Sequence, residues 1–368
     1  MTPVGLARMR LAAQGLLPGI PASTLQVPAS TPAQVVGALG MMQAQDLAQA
    51  CWAVGVRLPG SSLGTIHAAL GEGSLIRCWG ARGTLMFTTP AMHAPLLLVT
   101  APRMEAAMAA IRKREGITQT EIATLAKAAR IRCGAGGATR AQLLQAFADS
   151  GSGIEGQRGY HLIVAVCLRG GIVQGPMEPG SGTRQLFMAT DSWIPGKTAD
   201  LDPGNALAMV VRGYFESHGP ATVEDCAWWL GLTLARVRAG LEDCTGALAS
   251  VSVGGATYHF AACHEERLED PPGARSVIVL PGFDEFLLGY RRRSATLAAE
   301  HVQEVTPGKN GIFLRTVHAG GKTVGTWGVG GTARNPQGHH VPFGPDPSAS
   351  RAKAIAARIE AYIEFRRS

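Results

Sequence analysis

Few residues in this chain have a type and spacing that could do chemistry. The most unusual are in Met41-Met42-Gln43-Ala44-Gln45-Asp46, which follows a run with helical periodicity. If this segment is extended, successive side chains alternate in direction, so Gln43 and Gln45 point to one side and Asp46 to the other. A carboxamide both donates and accepts hydrogen bonds, so two on one side can hold a water molecule between them. Asp46 is the alternative, as a base or electrostatic stabiliser, although it points away from the glutamine face. Glutamines at a helix end more often solvate or cap backbone groups, so the pair alone does not name a reaction.

Other chemistry is thinly represented. The sequence has no H-E-x-x-H, no phosphate-binding G-x-x-x-x-G-K-[ST] loop and no zinc-type Cys/His spacing. His339-His340 sits in a Gly/Pro-rich loop, where such a pair is more often solvated than bound to a metal. Gly320-Gly321 lacks the G-x-G-x-x-G context of a dinucleotide site. Neither a metal nor a cofactor is therefore expected. The cysteines number seven, an odd count, and none forms a C-x-x-C pair, as expected of reduced core thiols in a cytoplasmic protein. The apolar run 16–22 is broken by Pro18 and Pro21, so no signal peptide is expected. The run 91–101 carries His93 and Pro95 and is too short to span a bilayer, so no membrane partner is expected.

The elements that must position these residues form a repeating outline. With 368 residues, 46% hydrophobic and 17% charged, the chain should be globular with two to four domains. A net charge of +7 is compatible with nucleic acid or an anionic membrane surface without deciding between them. In the first region, 1–100, Thr31-Pro32 reads as an N-cap and first helical residue, with Val35, Val36 and Leu39 following at helical spacing. A helix over 63–70 and strands over 75–79 and 84–89 complete a winged-helix outline. The second region, 101–200, repeats it: a helix capped by Thr139, a helix over 160–168, and strands over 172–174 and 185–189 around a Gly/Pro-rich wing loop. The third, 201–262, has helices over 206–217, after Thr222 and over 234–241, then a hairpin around Gly254-Gly255. The last, 263–368, predicts strands over 277–280, 311–317 and 322–327, a small barrel or curved sheet, and an amphipathic helix over 349–365. Three winged-helix outlines argue for nucleic acid better than net charge does, although such units also serve as protein-interaction modules. Trp228-Trp229 reads as core of the third unit rather than a base-stacking platform.

Several segments together resemble one family. Gln43-Ala44-Gln45 is similar to the glutamine–apolar–glutamine signature of AlkZ-like (azinomycin-resistance) DNA glycosylases. Arg82-Gly83-Thr84-Leu85 resembles the family's R-G-T-L segment, and His218-Gly219-Pro220-Ala221-Thr222 with Trp228-Trp229 resembles its third winged helix. The stretch from Pro281 through Asp284, Glu285 and Tyr290 to Arg291 resembles its most recognisable segment. Asn310-Gly311 and Val324-Gly325-Thr326-Trp327 match the strands that follow. One departure is visible: members often carry His shortly after R-G-T-L, where this chain has Met86.

The resemblance implies an α+β fold of three tandem winged-helix units in a C-shaped arrangement, with a small C-terminal β-barrel. It implies monofunctional cleavage of N7-alkylated purine nucleosides, bulky adducts and some interstrand crosslinks included, with Gln43 and Gln45 sharing the attacking water. The expected partner is double-stranded DNA carrying an alkylated purine, bound by a monomer. Arg82, Arg291, Arg292, Arg293, Arg315 and Lys322 are the candidate DNA contacts, each able to neutralise a phosphate or simply to solvate the surface. The stretch 103–140, with eight basic and three acidic residues, is a further candidate surface. A non-catalytic DNA-binding regulator and a protein-interaction scaffold are the competing readings.

Overall fold

The computed structural model describes residues 1–194, 201–244, 246–308 and 311–367. Asn310 and the expected domain limit at residue 200 lie outside them. The described residues form a mixed α+β structure with three antiparallel sheets. The strands are β1 (Met41–Gln43), β2 (Ile76–Trp79), β3 (Leu85–Thr88), β4 (Ile172–Met177), β5 (Gln185–Ala189), β6 (Leu248–Val253), β7 (Ala256–Ala261), β8 (Val277–Leu280), β9 (Thr316–Ala319), β10 (Lys322–Gly331) and β11 (Pro336–Pro342). The first sheet has the order β1-β3-β2-β4-β5, the second β11-β10-β9-β8, and β6 and β7 form a separate ribbon.

Local signals place the elements around the glutamines. The Thr31 side chain accepts from the Gln34 N–H and Pro32 opens the helix Pro32–Leu39, which ends at Gly40 with φ 76°. The chain then enters β1, whose residues Met41, Met42 and Gln43 pair with Thr88, Phe87 and Met86 of β3. Asp46 caps the next helix, Leu47–Gly55. Met86, the departure from the family pattern, is therefore the direct cross-strand neighbour of Gln43 on one side and of Cys78 on the other.

The ribbons of the first two regions are not independent. β2 also pairs with β4, through Arg77 opposite Gln174, so both belong to one five-stranded sheet. A continuous helix, Pro90–Ala107, runs across residue 100 despite carrying Pro95 and Pro102 in its interior. Those prolines explain why the sequence pattern concealed it. His93, Leu96, Leu97 and Val99 of this helix are buried. No single helix among the described residues is long and apolar enough to cross a membrane. Only Pro90–Ala107 and Ala109–Glu115 taken together reach that length and composition, and they are bent by 54°.

The C-terminal region differs from the expected barrel. Among the described residues its four strands form an open sheet with β8 and β11 as edges. β11 begins and ends on proline, which removes donors from that edge and discourages further pairing. The helix Ala349–Arg367 covers one face instead, burying Ile355, Ile359, Tyr362 and Ile363 with Trp52, Val279 and Trp327. The strand expected over 311–317 starts only at Thr316. Before it, the Leu314 N–H bonds to the Val305 carbonyl and Phe313 turns toward Phe283, so this stretch belongs to a loop. All seven cysteines are free thiols, and six of them are buried.

Candidate active site

β1 lies between two cores. Met42 and Ala44 point into one with Trp52 and Phe87, and Met41 into another with Met86, Leu96 and Tyr290. The ladder continues one step past the strand, where the Ala44 N–H donates to the Leu85 carbonyl at 2.8 Å. The chain then bends at Gln45 and Asp46 before the helix Leu47–Gly55. Gln43 is half-buried and Gln45 is exposed. Gln43 Oε1 accepts from Arg82 Nη2 at 3.3 Å, and Gln45 Oε1 accepts from the Leu85 N–H at 3.1 Å. Each carboxamide oxygen keeps a second lone pair, and among the described residues neither NH2 group has a hydrogen-bond partner.

Asp46 is committed elsewhere. Its side chain accepts from the Gln49 backbone N–H at 3.1 Å and from Gln49 Nε2 at 3.0 Å, the geometry of an N-cap. Gln49 Oε1 in turn accepts the Gly282 N–H. Asp46 thus fixes where the helix starts, and it lines a small surface pocket together with Gln43, Gln49 and Gly282.

Two buried groups that the sequence reading did not single out hold this junction. Arg77 on β2 donates to the Ala44 carbonyl at 2.7 Å and the Gln45 carbonyl at 3.0 Å. Its other nitrogen reaches Gln174 Oε1 at 2.8 Å and Gln185 Oε1 at 3.2 Å, tying the junction to β4 and β5. Burial lowers the Arg77 pKa to about 10, so it remains a cation at neutral pH. A signal was present: Arg77, Gln174 and Gln185 are polar residues within otherwise apolar strands.

Glu285 is the second group and is 1% exposed. Its Oε1 accepts the Gln43 backbone N–H at 2.8 Å, and its Oε2 accepts the Trp229 indole N–H at 2.8 Å. His218 Nε2 lies 3.5 Å from Oε2. Burial pushes this carboxyl up, but His218, Arg82 and the Trp229 N–H together outweigh it and hold the group below the usual glutamate value. His218 is itself fully buried, and burial holds its pKa below the usual histidine value; its Nδ1 lies 2.8 Å from Ser217 Oγ. Glu285 is therefore an anion seated directly beneath the backbone of Gln43, with the His218 ring beside it. The preceding Asp284 forms a buried two-pronged pair with Arg57, at 2.8 and 2.9 Å, which anchors the loop that delivers Glu285.

The candidate cationic residues separate into groups. Arg82 has φ 59° in the turn between β2 and β3, and its guanidinium stands 4.5 Å from the centre of the Trp228 ring. Arg293 stands 5.1 Å from the same ring and 4.9 Å from that of Phe313. Burial lowers the pKa of both arginines, and for Arg293 the charge of Arg82 adds to the effect. Two guanidiniums thus share the Trp228 indole next to Gln43. Trp229 is core, as the sequence suggested, while Trp228 is half-buried and carries this pair. Arg291 and Arg292 are exposed, and their backbone N–H groups both bond to Asp225 Oδ1 at 3.0 and 2.9 Å. Arg315 lies against the Trp327 and Tyr362 rings at 5.2 and 5.4 Å. Lys322 opens β10 opposite Ala319, at the end of the β9–β10 hairpin away from Gly282.

A family model described as DNA glycosylase AlkZ-like matches residues 36–365. An interstrand DNA cross-link repair glycosylase from Streptomyces sahachiroi is 24% identical over 306 residues, covering 80% of this chain and 81% of that protein. The structure of Streptomyces sahachiroi DNA glycosylase AlkZ matches with a TM-score of 0.82 at 22% identity, covering 99% of this chain and 97% of that one, so the two share a fold.

Proposed function

The chain belongs to the AlkZ-like DNA glycosylase family, and from that premise we propose that it is a monofunctional DNA glycosylase. It hydrolyses the N-glycosidic bond of N7-alkylated purines, bulky or crosslinked adducts included, in DNA repair or in self-resistance to a DNA-alkylating natural product. The observation that carries the reading is the pair of carboxamides, Gln43 and Gln45, at a strand–helix junction, with NH2 groups that have no partner among the described residues. The Streptomyces relative's description as a cross-link repair glycosylase supports the choice of lesion class.

Neutral side chains suit this reaction. N7 alkylation leaves the purine cationic, so the C1′–N9 bond breaks with its electron pair moving onto the base, which departs neutral. No strong general acid is required. As oxocarbenium character develops, Gln43 and Gln45 hold a water against C1′ through their NH2 groups and remaining carbonyl lone pairs. The water oxygen bonds to C1′ and its proton passes to solvent, to which Gln45 is open. Placing the nucleophile in this way removes the entropic part of the barrier. The Glu285 anion beneath Gln43 adds a fixed negative potential that favours the sugar cation.

In this reading Arg82 and Arg293 hold phosphates flanking the lesion. Arg291, Arg292, Arg315 and Lys322 extend the contact along the backbone. The helix–helix–ribbon segments 1–100, 101–200 and 201–262 act as three winged helices arranged in a C around the duplex. The segment 263–368, with its strands and terminal helix, is the fourth unit, and a monomer suffices. An open site of this kind accepts a bulky base that a closed base-flipping pocket would exclude.

The test is base release from duplexes carrying N7-alkylguanine, for the natural chain, Gln43→Ala and Gln45→Ala. Abasic sites made by the natural chain and reduced at least a hundredfold in both variants, with DNA affinity kept, are the expected result. Tight, salt-dependent DNA binding without release from small, bulky or crosslinked lesions would transfer the assignment to a non-catalytic regulator.

A further inference from the structure

Among the described residues, only two that are not glycine have a positive φ: Arg82 at 59° and Phe283 at 64°. Both border Gln43. Arg82 donates to its carboxamide oxygen, and Phe283 lines the small surface pocket formed with Gln43, Asp46, Gln49 and Gly282. A side chain in the left-handed region crowds its own backbone, and for a bulky residue the conformation is an outlier. Such residues persist where their surroundings over-determine them, and they collect at functional sites.

The surroundings of Phe283 are of this kind. The Gly282 N–H donates to Gln49 Oε1, and a Cβ on Gly282 would run into the Phe313 carbonyl and that same Oε1. On the other side Asp284 pairs with Arg57 and accepts the Phe286 N–H at 2.9 Å, and Glu285 accepts the N–H of Gln43. With its neighbours pinned, residue 283 absorbs the turn. Glycine would take that φ without steric cost. The chain carries phenylalanine instead, half-buried, with its ring 6.0 Å from that of Phe313. Arg293 stands over both Phe313 and Trp228, and Arg82 over Trp228, so rings and guanidiniums alternate from Phe283 round to Gln43.

We propose that Phe283 is a substrate-contacting residue whose ring bears on the deoxyribose of the lesion nucleotide and keeps C1′ over the water held by Gln43 and Gln45. This rests on the glycosylase reading and adds to it a residue of the sugar site. The recess that Phe283 shares with Gln43 is too shallow to enclose a purine, which leaves the sugar edge for the ring. As the base departs, positive charge leaves the purine and grows on the sugar. The face of an aromatic ring attracts a cation. Contact between Phe283 and the sugar therefore strengthens toward the transition state, and an interaction of that kind raises kcat rather than affinity.

The test measures single-turnover base release and duplex affinity for the full chain on N7-alkylguanine duplexes carrying small, bulky and crosslinked lesions. The variants are Phe283→Gly and Phe283→Tyr, and two further chains carry 4-fluoro- and 3,4,5-trifluorophenylalanine at position 283. Phe283→Gly removes the ring and suits the backbone conformation, while fluorination withdraws ring electrons with little change of shape. Release by Phe283→Gly should fall about a hundredfold, the cost of a misplaced reacting atom, with Kd for the duplex little changed. Phe283→Tyr, which keeps the ring, should recover most of that loss. The fluorinated chains should slow in order, the trifluoro ring by about fivefold, the size of a partly exposed cation–π contact, with unaltered urea midpoints. Release by Phe283→Gly close to the natural rate, or rates indifferent to fluorination, overturns the proposal. The second of these results is the one expected of a ring that only packs against Phe313. A natural chain that releases no base from any of the duplexes overturns the glycosylase reading and this proposal with it. A natural chain that releases base while the Phe283 variants keep pace overturns this proposal alone.

Discussion

Replacing Glu285 by glutamine tests whether the buried anion holds the glutamine strand in place. The two carboxylate oxygens each accept one N–H at 2.8 Å, from Gln43 and from Trp229. A carboxamide keeps one oxygen, so whichever way it turns, its NH2 group meets an N–H donor. One buried donor is left unpaired, at about 1–3 kcal/mol, and the other bond loses its charged acceptor, at about 1 kcal/mol more. The sum of about 3 kcal/mol matches the loss seen when one member of a buried charged group is removed. With a denaturant slope of about 3 kcal/mol/M, the urea midpoint falls by about 1 M. The Gln43 backbone is the freed partner, and a shift of about 1 Å there lowers the single-turnover rate about a hundredfold. The effect should appear in kcat, with KM for DNA nearly unchanged, because Arg82 and Arg293 still stand on Trp228. A variant releasing base within twofold of the natural rate, with an unaltered urea midpoint, would refute this account of Glu285.

Two further outcomes follow from the same geometry. Asp46→Asn keeps an N-cap, since asparagine caps as well as aspartate, so base release should stay within about threefold; a fall of a hundredfold or more in a single-turnover assay, with the helix content kept, would make Asp46 the base instead. The fold should also weaken in mild acid. Burial holds the His93 pKa at about 4 and the His318 pKa at about 3, against 6.5 unperturbed. Below pH 6.5 the unfolded chain takes up protons that the folded chain refuses, so stability present above that pH is lost as pH falls. From 6.5 to pH 5, at about 1.4 kcal/mol per pH unit, each histidine forfeits about 2 kcal/mol. Glu285 opposes nothing in this window: its pKa is held low, so its contribution persists and is lost only below the ordinary glutamate value of 4.5. Urea midpoints at pH 7.5 and pH 5 measure the difference, and equal midpoints would show that these histidines are not held neutral.

Much of the glutamine site was legible in the sequence because the rules that place it are local. Side chains alternate with period two on a strand, so Gln43 and Gln45 share a face wherever the chain is extended. An aspartate before an apolar helical run caps that helix, so Asp46 accepts the Gln49 N–H. Thr31-Pro32, Thr139, Thr222 and Gly254-Gly255 worked in the same way, each acting over no more than four residues. The family resemblance was also a property of the sequence alone, carried by several motifs in a fixed order. What supports those glutamines was decided elsewhere. Glu285 lies 242 residues from Gln43, and Arg77 reaches Gln174 across 97 residues. The merging of β2 with β4 and the open sheet in place of a closed barrel are likewise agreements between distant strands. The helix Pro90–Ala107 persists through two prolines because buried contacts outweigh what they cost locally. Propensity and periodicity act on neighbours in the chain. Which buried anion lies beneath which backbone N–H depends on how apolar faces close on one another, and that only the tertiary structure decides.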